Sequence, residues 1–106
     1  MKLITPEQKE QLFKDKDFNI ENGAVIMTQD WCPQWKAMEA WLEDIEAPVF
    51  LLIYEDNDPF REFKENEFKN DQIPYIRYYK DGKLTSESNY VSKEEFLSLL
   101  PPGRKP

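Results

Sequence analysis

The chain has no histidine and only one cysteine in its 106 residues. Without histidine there is no zinc site of the usual Cys/His kind, and a lone thiol cannot close an intramolecular disulfide. Neither a metal nor any other cofactor is expected. Glycine is scarce as well, 3 residues against 8 scattered prolines, which excludes collagen-like and low-complexity architectures. Basic residues are in deficit: 14 Lys and Arg face 21 Asp and Glu, and the net charge of −7 repels phosphate backbones and anionic lipid. Nucleic acid and membrane are therefore not expected as partners. No apolar run approaches the roughly 20 residues that span a bilayer. Met1-Lys2-Leu3-Ile4-Thr5-Pro6-Glu7 turns polar too soon for a signal peptide, so the expected location is the cytoplasm. What the chain does have is bulk. With 40% apolar residues, including three Trp, five Tyr and seven Phe, it can bury a real core at this length. The expectation is one domain over residues 1–100 and a flexible tail over 101–106, in a monomer.

Thr5-Pro6-Glu7-Gln8 reads as a capping box ahead of a helix over about 6–16 that turns Leu12 and Phe13 inward. After the turn signal Asn22-Gly23, Ala24-Val25-Ile26-Met27 suits a strand covered on both faces. Trp35, Met38, Trp41, Leu42 and Ile45 fall at helical spacing and predict an amphipathic helix over 33–46, ended by Pro48. Val49 to Tyr54 reads as a second fully covered strand. A third helix over about 59–70 carries Phe60, Phe63 and Phe68 on one side. The stretch from Ile53 to Gln72 holds seven acids and three bases, which reads as a solvated helix face. Tyr75 to Lys80 and Lys83 to Tyr90 form a hairpin about Asp81-Gly82. Ser92-Lys93-Glu94-Glu95 reads as a second capping box, opening a last helix to Leu100 with Phe96, Leu97 and Leu100 inward. Met1 to Thr5 adds one short strand. Successive strands joined by helices are parallel, whereas the hairpin is antiparallel, so the fold class is α/β. The sheet is mixed, with helices on both faces.

The chemistry concentrates in Trp31-Cys32-Pro33-Gln34-Trp35-Lys36, where a cysteine stands at the junction of a buried strand and a helix. The helix's unpaired N–H groups and the positive end of its dipole favour a thiolate there, while Asp30 opposes it. Loops at the carboxyl end of parallel strands face the crevice where α/β sheets place their sites, so an exposed or semi-exposed thiol is expected.

These residues, with Ile73-Pro74 before a strand, the Lys80-Asp81-Gly82-Lys83 hairpin and the Ser92-Lys93 helix start, resemble thioredoxin over nearly the whole chain. The resemblance implies the thioredoxin fold, a cis peptide bond at Pro74 beside the active cysteine, and backbone groups at Ile73 that receive an extended substrate strand. It implies a partner contact at Trp31, with Pro33, Gln34 and Tyr75 beside it; Trp35, on the apolar stripe of its helix, reads first as core and otherwise as a cap or aromatic contact at the Cys32 pocket. Tyr75 and Asn89 stand where the family has smaller residues, and both are expected to narrow the docking groove.

The departures bear on activity. Where thioredoxins have Cys-Gly-Pro-Cys, the place of the second, resolving cysteine is held by Trp35. The family's buried acid falls at Ile26 and that acid's lysine partner at about Leu52. An unpaired acid in such a core costs several kcal/mol, so Ile26 is the stabilising residue once the resolving chemistry has gone. The leading expectation is a monothiol protein in which Cys32 forms mixed disulfides with protein thiols or disulfides, with glutathione or with another small thiol, and an external thiol resolves them. The alternative is a redox-inactive binding module using the groove around Trp31, Pro74 and Tyr75. The glutathione contacts and Cys-Gly-Phe-Ser motif of monothiol glutaredoxins are missing, so no iron–sulfur cluster is expected. Arg77, interrupting an apolar strand, is expected to pair with an acid or reach an open face.

Overall fold

Thr5 opens the first helix as its sequence requires. Its hydroxyl accepts from the Gln8 amide at 3.1 Å, and the Gln8 side chain accepts from the Thr5 amide at 2.8 Å, with Pro6 at the first helical position. The computed structural model describes residues 1–101. Its elements are β1 (Lys2–Leu3), α1 (Pro6–Asp15), β2 (Asn22–Thr28), α2 (Pro33–Leu42), β3 (Val49–Ile53), α3 (Pro59–Glu67), β4 (Tyr75–Lys80), β5 (Lys83–Ser88) and α4 (Lys93–Leu99). Of the tail expected at 101–106, everything after Pro101 lies outside the described residues.

The five strands form one sheet in the order β1-β3-β2-β4-β5. β1, β3 and β2 run parallel, and β4 and β5 are antiparallel to their neighbours. The continuous apolar run of β2 conceals a period of two, because each face of the sheet has its own core. Ala24 and Ile26 meet Trp35, Met38 and Leu42 of α2 and Phe96 of α4. Val25 and Met27 meet Leu12 of α1 and Phe60 of α3 on the other face. The mixed sheet with helices on both faces is the expected architecture.

Two turns need residues with positive φ. Gly23 has φ 123°, and a Cβ built on it would lie 2.1 Å from the Pro48 carbonyl oxygen. Asp81 and Gly82, at φ 53° and 78°, make the tight hairpin turn whose two left-handed residues match strand twist.

Several boundaries and faces differ from expectation. α2 ends at Leu42 because Asp44 and Ile45 donate three residues back, to Trp41 and Leu42, and tighten the chain out of α geometry. α3 ends at Glu67, since left-handed Lys69 (φ 57°) turns the chain away. β5 ends at Ser88 rather than Tyr90. Ile53 is exposed, because the two-residue β1 pairs only with Phe50 and Leu51 and leaves the end of β3 uncovered. At α4 the Ser92 hydroxyl accepts from the Glu95 amide, but the return bond that would complete a box is missing. Leu97 points to solvent, and Leu99 takes its place against the core.

Candidate functional site

β2 delivers Gln29, Asp30 and Trp31 at its carboxyl end, and Cys32 then caps α2 with extended backbone (φ −67°, ψ 119°) and Pro33 at the first helical position. The Cys32 amide donates to Gln29 O at 3.1 Å, and its carbonyl accepts from Lys36 at 3.1 Å, which seats the residue on the helix start. Its thiol donates to the carbonyl of Ile73, with Sγ 3.8 Å from the oxygen. The Ile73–Pro74 bond is cis, as the resemblance implied. The helix start and the loop before β4 thus meet at one sulfur atom.

The expected exposure of the thiol is not found: Cys32 is 4% exposed. It packs in the core between the sheet and α2, with Val91 and Phe96 brought over from the end of the chain. Trp35 is 1% exposed in the same core, so it offers no surface to a partner. Ile26 is buried there too, whereas Leu52 lies in the opposite core. On β3 the residue paired with Ile26, and sharing its face, is Leu51.

Tyr75 does not narrow a groove at Cys32. Strand alternation sends it to the far core, where its hydroxyl donates to Glu87 and accepts from Arg77 at 2.8 Å. Burial first, and then the Glu87 carboxylate, hold the Tyr75 hydroxyl well above the ordinary phenol range. Arg77 pairs with acids as expected, Asp17 at 3.2 Å and Glu87 at 3.7 Å, and lies over the Phe68 ring at 4.1 Å.

The loop before Pro74 is tied by Lys64, which the sequence did not single out, and by Asn89, which it placed beside the docking groove. Lys64, 1% exposed on α3, donates to the carbonyls of Asn70 at 2.9 Å and Gln72 at 2.8 Å. Burial pushes its ammonium down to about 8, against the opposing pull of Glu65 and Asp71. Asn89 donates to Pro74 O at 3.0 Å and to Asn70 Oδ1 at 3.1 Å. The signal that could have found Lys64 is its spacing, four residues after Phe60 and so a cation on the phenylalanine side of α3.

On the outer side, Trp31 is 67% exposed. Its indole N–H donates to Gln29 Oε1 at 3.0 Å, and Gln29 in turn donates to Asp56 at 2.7 Å. Gln29 is the further residue that the sequence reading passed over; its signal is a polar side chain directly after a buried strand. Pro33 and Gln34 are exposed, Ile73 is half-buried and Pro74 buried. Asp30 stands 3.9 Å from Lys36. Between Trp31 and the segment 54–57 lies a cleft of about 560 Å³. Tyr54 borders it with its phenol pushed up to about 12, mainly by burial and then, against the pull of Arg61, by Glu65 and Asp56. Among the described residues no cluster of His, Cys, Asp and Glu is arranged to hold a metal ion. No helix among them is long and apolar enough to cross a membrane.

The fold has a counterpart among solved structures. The chain is similar to a thioredoxin from Aeropyrum pernix, at TM-score 0.56 and 17% identity, covering 91% of this chain and 79% of that one. No protein-family model and no curated protein matches the sequence.

Proposed function

We propose that this chain, which has the thioredoxin fold with its single thiol at the start of α2, is a monothiol exchange protein working through Cys32. The observation that carries this reading is the place of Sγ, at the amino end of α2 and 3.8 Å from Ile73 O. That place sets the sulfur beside the Ile73–Pro74 backbone, which offers a partner strand an edge to dock on. The Cys32 thiolate attacks one sulfur of a disulfide, a Cys32–S bond forms, and the other sulfur leaves as thiolate. Trp35 occupies the resolving position, so a second, external thiolate must attack the mixed disulfide. That attack returns Cys32 as thiolate and leaves the external thiol in disulfide linkage to the substrate sulfur. Protein thiols, glutathione or another small thiol serve in that step, and the cytoplasm supplies them in reduced form.

Oxidised glutathione tests the reading directly. Intact mass is expected to show one glutathione on the folded protein, removed by dithiothreitol, and none on Cys32→Ser. An adduct that forms only in urea and never on the folded chain overturns it. That outcome supports the second reading, a redox-inactive binding module, which the 4% exposure of Cys32 beside the 67% exposure of Trp31 favours.

A further inference from the structure

We infer that the surface beside Cys32 receives a basic segment of a partner protein, with Trp31 stacking against a lysine or arginine side chain. This inference rests on the reading of the Cys32 region as the place where a partner docks, and it names the chemistry of that partner. The indole edge of Trp31 is already satisfied by Gln29, which Asp56 anchors from behind. What remains on offer is the ring face, exposed and fixed, and a ring face attracts cations.

The surroundings select the same occupant. The cleft at Trp31 adjoins a second one of about 360 Å³, sharing Asp56 and Asn57 with it. Together their walls carry Asp30, Glu55, Asp56, Asp58, Glu62 and Glu65 against only Lys36 and Arg61. Both cations are already spent on acids of the same walls: Lys36 on Asp30 at 3.9 Å, and Arg61 on Asp56 at 3.5 Å and Glu65 at 3.4 Å. Glu55 and Glu62 have no cation within 4.0 Å among the described residues. Neighbouring Cα atoms are about 3.8 Å apart, and an extended chain advances about 3.3 Å per residue. A segment whose sulfur meets Cys32 therefore sets a residue one or two positions away over Trp31, and the next ones over the acidic walls.

Docking is measured apart from exchange by using Cys32→Ser. The probes are three blocked seven-residue peptides, alternating alanine with lysine, glutamate or serine, and the readout is isothermal titration calorimetry. The lysine peptide is expected to bind at least about tenfold more tightly than the serine peptide and to weaken about tenfold between low salt and 0.5 M salt. The glutamate peptide is expected not to bind. Trp31→Ala and the pair Glu55→Gln with Glu62→Gln are each expected to weaken the lysine peptide several-fold. Equal binding of the lysine and glutamate peptides overturns the inference, as does lysine-peptide binding that survives both variants, which puts the attraction elsewhere on the acidic surface. A glutathione adduct on the wild-type protein together with no lysine preference sinks the docking inference alone. Lysine-selective docking without any adduct sustains it and removes the exchange chemistry.

Discussion

Lys64 shows what one buried side chain does to the whole pH profile. In the folded protein its ammonium titrates at about 8, whereas an unfolded lysine titrates near 10.4. Between those values the unfolded chain holds the extra proton, so stability rises with pH, by roughly 2–3 kcal/mol across the window. The tyrosines act in the opposite sense: Tyr54 and Tyr78 are pushed up to about 12, chiefly by burial, and Tyr75 and Tyr79 are raised further. Above about pH 10 the unfolded chain loses those protons first, and stability falls. Urea denaturation across pH 7–11 is expected to show a maximum near pH 10. In Lys64→Met the rise from pH 8 disappears and the fall above pH 10 remains; a rise that persists assigns the slope to another group. Trp35 gives a second expectation at this scale. Residues three apart on a helix have Cβ atoms about 5–6 Å apart, within reach of a slightly adjusted disulfide. Trp35→Cys is therefore expected to lose two hydrogens by mass under mild oxidation, and the reduced form to be less stable by about 3–5 kcal/mol for the lost ring. That Cys32 at the start of α2 stands beside Ile73–Pro74 was legible through the resemblance in their order along the chain. Their depth was not, because Val91 and Phe96, which cover Cys32, come from the far end of the sequence.

Elements were legible where local chemistry decides them. The Thr5 box, the Asp81-Gly82 turn and the apolar run of β2 all stand where the sequence places them. Endings were less legible, because α2 and α3 stop through backbone choices at Asp44 and Lys69 that carry no glycine or proline signal. One face failed: in the last helix Leu97 was expected inward with Phe96 and Leu100, and packing against the α2 core turned Leu99 in instead. The role of Gly23 is likewise tertiary, since the atom that forbids a side chain there belongs to Pro48. Gly23→Ala meets both a left-handed φ and that carbonyl, and its expected cost is about 2–3 kcal/mol by urea denaturation. A cost under about 0.5 kcal/mol means that the Pro48 turn yields easily.

For the whole molecule, a Cα radius of gyration of 13.1 Å is close to the roughly 13 Å of a compact chain of about this length. Small-angle scattering at the expected monomer mass should return a value near it, and a clearly larger radius with doubled mass contradicts the monomer. The architecture as a whole was legible because every level of the sequence agrees on it: alternating strands and helices, one tight hairpin and two apolar faces per inner strand. The central strand has one more consequence. β2 is bonded to β3 on one edge and β4 on the other, and both of its faces are sealed. Its amides can therefore trade hydrogen for deuterium only when the entire chain opens, whereas those of short, one-sided β1 exchange through local fraying. The slow strand ends at Thr28, and Gln29 and Asp30 lead out of it immediately before Trp31 and Cys32, so a partner's footprint there reads as slowed deuterium uptake beside a silent strand.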